Sequence, residues 1–200
     1  MQSQCQMSIY YKYAPDGSKI VVLSYVDDCV YWYKNEDIGK WFVDTLGKRL
    51  HVNFLGFAHW FMSMRIFQLK YHSISVNQAR YATSIVEKYL DTDTVKVSNK
   101  FYNTTLPADM SFTKEDVSTS DEKIEKLTRE NIIHYRACIG SLIYLLSTRV
   151  DFSFELHKLE KFSANPGKVH FEGLVHLLKK IRDNNTLGLK YYADLNDAPV

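Results

Sequence analysis

The chain reads as an α+β protein, and three features of its sequence say so. The opening segment is dense in β-branched and aromatic residues broken by short turn signals. A 3.6-residue apolar period first sets in after Asn35, and three more helical periods close the chain beyond a long polar stretch. Of the 200 residues 46% are hydrophobic, enough apolar surface to build a packed core.

Ile9 to Tyr13 is an apolar segment followed by Ala14-Pro15-Asp16-Gly17-Ser18 and then by Lys19 to Val26. The pair predicts a hairpin around a Pro-Asp-Gly turn. Strand character resumes from Cys29 to Tyr33 after two acidic residues, so Lys19 to Tyr33 forms a second, tightly turned hairpin with Asp27 and Asp28 at its tip. Asn35 then caps a helix whose apolar stripe is Ile38, Trp41, Phe42, Thr45, Leu46 and Leu50. Trp60 to Leu69 and His72 to Val76 predict a further hairpin, and Asn77 to Leu90 a helix burying Ala79, Ala82, Ile85, Val86 and Tyr89. From Asp91 to Glu130 the sequence turns polar around Pro107, a connector with local turns. Ile132 to Thr148, Phe152 to Ser163 and Val169 to Arg182 are amphipathic helices, divided by Arg149-Val150-Asp151 and by Asn165-Pro166-Gly167.

Composition narrows the function classes. A net charge of +2 makes no demand for a nucleic-acid partner, so any basic surface must be local. Cys5, Cys29 and Cys138 are odd in number and widely spaced, which fits neither a disulfide framework nor a zinc site; reduced thiols are expected, two of them buried. His51, His59, His72, His134, His157, His170 and His176 have no cysteines at ligand spacing, which favours surface or core-edge roles. The N-terminus has no basic stretch followed by an apolar run, and no apolar run approaches the ~20 residues of a membrane span. An intracellular location is expected, cytoplasmic or within a virus-like particle or the nucleus.

The tip of the second hairpin carries the chemistry. Two-residue hairpin turns favour Asn-Gly or Asp-Gly, and this tip has no glycine. Adjacent carboxylates repel by about 1 kcal/mol in water and ~4 kcal/mol in a partly shielded site. A divalent cation reverses that sign, and magnesium is a hard ion held by one or two carboxylates together with substrate phosphates and water. The plainer reading of an isolated Asp-Asp pair is a solvated turn.

Context favours the cation. Val21-Val22-Leu23-Ser24-Tyr25-Val26-Asp27-Asp28-Cys29-Val30 resembles the Tyr-X-Asp-Asp motif of reverse transcriptases, with apolar strands on both sides. The likeness to the copia-type retrotransposon family continues in order along the chain. Leu55-Gly56, with Phe61 six residues after Leu55, is similar to the segment following the catalytic hairpin, and Gln78-Ala79-Arg80-Tyr81 to its Gln-X-X-Tyr helix start. Tyr135-Arg136-Ala137-Cys138-Ile139-Gly140-Ser141-Leu142-Ile143-Tyr144-Leu145 resembles the Tyr-Arg-X-X-X-Gly-X-Leu-X-Tyr-Leu helix. Thr148-Arg149-Val150-Asp151 stands where the family has Thr-Arg-Pro-Asp, and Asn165-Pro166, His170 and the run from Leu177 to Leu189 resemble its closing helix.

The resemblance implies a partial polymerase palm of antiparallel hairpins plus a helix over residues 1–68, a thumb-like hairpin and helix with a polar connector over 69–130, and a helical connection region over 131–200. It implies RNA-directed DNA synthesis by two-metal nucleotidyl transfer, with Asp27 and Asp28 as catalytic metal ligands for Mg2+ or Mn2+, and Tyr25 and Val26 near the primer. Implied partners are an RNA or DNA template-primer, deoxynucleoside triphosphates, the upstream fingers and palm, and a downstream ribonuclease H domain; no membrane is implied. The family pattern also needs a third carboxylate on an upstream strand, and the one acidic residue before Asp27 is Asp16. The isolated chain is therefore expected to be inactive. A non-catalytic nucleic-acid-binding or protein-interaction remnant of a degenerate element is the alternative. Ser63 and Val150 replace the family's glycine and proline, and Asp194, in Tyr192-Ala193-Asp194, lacks the context of a ribonuclease H strand. Tyr10, Tyr11, Tyr13, Tyr31, Trp32 and Tyr33 offer either strand packing or stacking faces. Lys158, Lys161, Lys168, Lys179, Lys180, Arg182 and Lys190 offer either a solvated helix surface or a phosphate track.

Overall fold

Alternating apolar residues in the opening segment settle into strands β1 (Ile9–Tyr13), β2 (Lys19–Tyr25) and β3 (Asp28–Tyr33), an antiparallel sheet in the order β1-β2-β3. The computed structural model describes residues 7–69, 72–90 and 129–193. The chain divides into two units, Met1–Met62 and Ser63–Val200.

In the first unit the Pro-Asp-Gly turn forms as expected. Asp16 Oδ1 accepts hydrogen bonds from the Ser18 amide (2.9 Å) and hydroxyl (2.7 Å), and Gly17 takes φ 78°, where a Cβ would be strained. Helix α1 (Glu36–Gly47) starts where Asn35 Oδ1 accepts from the Asp37 amide at 2.9 Å. It packs on one face of the sheet. Phe42 lies 5.1 Å from the Tyr31 ring, the Lys12 amine sits 3.9 Å from the Trp41 ring centre, and a Cβ on Gly39 would come within 3.0 Å of the Tyr33 ring. The helix ends at Gly47, one turn before the last residue of the predicted stripe. The amides of Lys48, Arg49 and Leu50 fold back onto the Asp44 and Leu46 carbonyls, leaving Leu50 exposed.

The predicted strand from Trp60 to Leu69 is interrupted. Strand β4 (Trp60–Phe61) ends at Met62 and Ser63, both with positive φ (48° and 60°), and β5 (Met64–Gln68) begins after them. Two consecutive left-handed residues reverse the chain, which no run of apolar residues reveals. Ser63 is where the resembled family carries glycine, the residue that adopts this backbone without penalty.

The second unit pairs β5, β6 (Ile74–Asn77) and β7 (Gly188–Tyr191) antiparallel, in that order. Strand β7 lies beyond the helix predicted from Val169 to Arg182, at the end of the run from Leu177 to Leu189 that resembles a closing helix of the family. Its place depends on Asn77 and Val76, more than a hundred residues away, because a Cβ on Gly188 would collide with the Val76 carbonyl and with Asn77. Helices α2 (Ala79–Leu90), α3 (Arg129–Leu145), α4 (Ser153–Glu160) and α5 (Lys168–Asp183) follow, with a short 3-10 turn at Val150–Phe152. The helix predicted from Phe152 to Ser163 is thus shorter, closed at Lys161 by a bond to the Leu159 carbonyl. The predicted connector from Asp91 to Glu130 lies outside the described residues except at its very end, where α3 begins.

The core of this unit gathers Ala82, Ile85 and Val86 from α2, Leu142 and Leu145 from α3, Leu156 and Leu159 from α4, and Leu177 and Ile181 from α5. Ala79 and Tyr89 are half-buried rather than core. Polar ties cross it. The Tyr135 hydroxyl donates to the Leu159 carbonyl at 2.8 Å, and Thr148 Oγ1 donates to Gln78 Oε1 at 2.8 Å. Arg149, 2% exposed, donates to both Asp151 oxygens (2.7 and 2.9 Å) and to the Asn184 carbonyl (2.8 Å).

Candidate functional site

The tip of the β2–β3 hairpin is a two-residue turn. Tyr25 pairs with Asp28, so Val26 and Asp27 are the turn itself and Asp28 is the first residue of β3. All four are exposed, Val26 most of all at 83%. Val26 has φ 52°. A β-branched residue is the worst candidate for that region, since its Cβ substituents crowd the backbone. Holding one there costs about 1–3 kcal/mol, and the exposed side chain recovers little of it by packing.

The pleat sorts the residues around the tip. Partners in register share a face, so Asp28, Tyr25, Leu23, Val30, Ile9, Val21, Trp32, Tyr11, Lys19 and Tyr13 lie on one side. Tyr10, Lys12, Ile20, Val22, Tyr31 and Tyr33 lie on the other, the side that α1 covers. Asp28 and Tyr25 therefore point to the face away from the helix. Cys29 belongs to the helix side and is exposed, Cys138 is buried, and Cys5 lies outside the described residues. Burial pushes the Cys138 thiol up to about 12, so it stays protonated.

Two carboxylates meet the minimum for a magnesium ion that also binds substrate phosphates and water. They do not complete a protein cage: among the described residues no group of three His, Cys, Asp or Glu side chains is placed to hold a metal. Asp16 is no third ligand. It lies in the turn preceding Lys19, six residues along β2 from Tyr25, roughly 20 Å at ~3.3 Å per residue. Its bonds to Ser18, aided by Asn35, hold its carboxyl below the usual value.

The other candidate residues disperse. His170 and His176 are buried on α5, and His170 Nδ1 accepts from the Gly167 amide at 2.8 Å, a helix-capping role. Of the basic residues in the helical half, Lys179 is turned into the protein at 9% exposure, and burial, reinforced by Arg182, lowers its pKa. Lys168 pairs with Glu172 and Arg182 with Asp183, which leaves no unbroken basic track on α5. Asp194 lies outside the described residues. Sequence reasoning missed the position of Lys19, whose amine stands 5.1 Å from the Tyr11 ring centre and 5.4 Å from that of Tyr13. Strand alternation was the available signal, because Lys19 and Tyr13 flank one turn and share a face.

Comparison with known proteins places the chain beside retrotransposon Pol polyproteins. It is 24% identical over 176 residues to the retrovirus-related Pol polyprotein from transposon TNT 1-94 of Nicotiana tabacum, an alignment covering 87% of this chain and 13% of that protein. It is also 24% identical over 187 residues to the retrovirus-related Pol polyprotein from transposon RE2 of Arabidopsis thaliana, covering 88% of this chain and 12% of that protein. The chain is thus similar, over most of its own length, to a small segment of these polyproteins. No protein-family model and no solved structure matches it. Among the described residues no helix is long and apolar enough to cross a membrane.

Proposed function

We propose that the chain is a segment of the reverse transcriptase portion of a retrotransposon Pol polyprotein, in which Asp27 and Asp28 hold magnesium or manganese for RNA-directed DNA synthesis. The observation that carries this reading is the backbone of Val26. An exposed valine at φ 52°, between Tyr25 and two exposed acids, is a local cost without a packing return. Such a turn makes sense where its shape presents the neighbouring carboxylates to a ligand. The ordered likeness to Pol polyproteins supports the same conclusion.

When bound, the ions would sharpen the primer 3′-hydroxyl as a nucleophile and neutralise charge on the triphosphate. The chain's own contribution is to keep Asp27 and Asp28 at an exposed, short-tethered tip, with Tyr25 and Val26 beside the primer end. Two acids cannot seat two ions. The third carboxylate belongs to an upstream strand, and β3 is an edge strand among the described residues, where such a strand could pair. The partners in this reading are a template-primer, deoxynucleoside triphosphates, the upstream fingers and palm, and a downstream ribonuclease H domain.

Paramagnetic titration with Mn2+ tests the ligands. Binding to the full chain is expected, with loss in Asp27→Asn and in Asp28→Asn; affinity unchanged in both variants would sink the assignment. Primer extension by the isolated chain is expected to stay at the level of the Asp27→Asn control. Extension above that level would show the acid set to be complete.

A further inference from the structure

The segment that follows α1, from Leu50 to Trp60, holds the densest run of uncovered apolar side chains in the first unit. Leu50, Phe54, Leu55, Phe57 and Trp60 are all exposed, Leu55 at 90% and Phe57 at 70%. Single exposed apolar residues are normal on a protein surface, but a run of them marks a surface that meets something else. From His51 to His59 the backbone is neither helix nor strand, so these side chains are not the outer face of a packed element.

The segment is anchored at its base. A Cβ on Gly47, the last residue of α1, would lie 3.8 Å from the Phe54 ring, so residues 48–53 form a loop closed by that contact. Leu55-Gly56-Phe57 leads out of it, and Gly56 takes φ 78° between the two most exposed side chains of the segment. Three residues beyond the anchor reach at most about 10 Å, the depth to which interfacial segments sink into the headgroup and acyl boundary. Lys48 and Arg49 stand on the closed loop, both exposed and, among the described residues, in no ion pair; Asp44, one turn back, forms none with Lys48. The sequence keeps acids away from this region. Between Asp44 and Glu87 it has five Lys or Arg and no Asp or Glu, against a net charge of +2 for the whole chain.

We infer that Leu50 to Trp60 is a peripheral attachment site for an anionic lipid bilayer, in which Leu55 and Phe57 enter the headgroup boundary while Lys48 and Arg49 meet the lipid phosphates and carboxylates. Charge complementarity chooses this occupant. An anionic bilayer is negative over its whole surface and answers a run of bases with no acid among them. A folded protein partner presents charges of both signs and a shaped surface, for which an irregular apolar loop is a poor match. Trp60, where the segment returns to β4, has the ring type that sits at the boundary between membrane and water. Eleven residues are too few to span a bilayer, so the contact is with one leaflet. This attachment goes beyond the polymerase reading and uses neither Asp27 nor Asp28.

The test is co-sedimentation of the full chain, in EDTA, with vesicles of phosphatidylcholine alone and of an equal mixture of phosphatidylcholine and phosphatidylserine. Binding to the mixed vesicles is expected to be roughly tenfold tighter than to the neutral ones and to weaken with salt. Leu55→Ser and Phe57→Ser are each expected to weaken it roughly tenfold. Lys48→Gln and Arg49→Gln should each cost roughly fivefold and make the salt dependence shallower. Phe57→Trp, which keeps an apolar ring, should hold the affinity. Phe154→Ser removes an exposed ring with a lysine beside it in the other unit and should change nothing. All these side chains are on the surface, so circular dichroism of each variant is expected to match the parent. Failure to pellet with the mixed vesicles, or equal losses in Phe57→Ser and Phe154→Ser, would overturn the attachment site. A sedimentation coefficient that rises with concentration in the parent but not in Leu55→Ser, without lipid binding, would mark a protein-docking face and overturn it likewise. None of these results bears on the Mn2+ titration of Asp27 and Asp28, so the two readings fall separately.

Discussion

Val26 shows how far a single residue can be read. Its type is that of a strand interior, yet it occupies the first position of a hairpin turn with φ 52°. Replacing it with glycine exchanges a left-handed penalty of about 1–2 kcal/mol for a chain-entropy cost of about 0.5–1 kcal/mol. Val26→Gly is therefore expected to raise stability by roughly 0.5–1 kcal/mol, read as a later urea midpoint with an unchanged slope. An earlier midpoint would show that the turn is relaxed as it stands. The absence of glycine at the tip was visible in the sequence; that valine rather than aspartate would take the positive φ was not, since it depends on the register Tyr25 with Asp28.

Between elements, the residues that made the sequence resemble a known family turn out to meet in pairs. Gln78 accepts from Thr148, Tyr81 donates to the Ser141 carbonyl, and Arg149 ties the start of the 3-10 turn to the end of α5 through Asn184. Arg149→Leu strips a buried guanidinium from the carboxylate and carbonyl it satisfies, and a loss of about 3 kcal/mol is expected by denaturant unfolding. A loss below about 1 kcal/mol would show the tie to be ornamental. Burial pushes the Asp151 carboxyl up, but the hydrogen bonds and charge of Arg149 outweigh it and leave the group below its ordinary value. A depressed carboxyl contributes stability that is complete above the unfolded value near ~3.9 and fades as pH falls through the folded one. Asp151→Asn should thus flatten the acid limb of stability below about pH 4, and an unaltered limb would count against the pairing. Gly188→Ala should cost about 1–3 kcal/mol by forcing β7 away from Val76 and Asn77; an unchanged midpoint would mean that the strands separate freely.

The molecule as a whole distributes its core unevenly. Among the described residues, the buried apolar side chains of Met1–Met62 are Ile20, Val30 and Ile38, whereas Ser63–Val200 holds the cluster spanning α2 to α5. Local stability follows such burial. Amide exchange is expected to be slowest at Leu142, Leu177 and Ile181 and faster in β1 and β3. Equal protection in both units would refute this ordering.

Local chemistry was legible in the order of residues. The Pro-Asp-Gly turn, the Asn35 cap and the helical stripes each depend on neighbours within a few positions, where dihedral preference and apolar period suffice; the second hairpin was legible in the same way, but its turn falls on Val26 and Asp27, one residue earlier than the expected Asp27 and Asp28, because Tyr25 pairs with Asp28. What lay beyond reach depends on partners far away in sequence. Strand β7 exists because Val76 and Asn77 offer it an edge, the Met62-Ser63 reversal is a matter of backbone φ, and Lys179 is buried by the packing of α5. Which aromatic residues lie on the α1 side of the sheet and which on the other likewise awaited the register, since a shift of one residue would have exchanged the two sides.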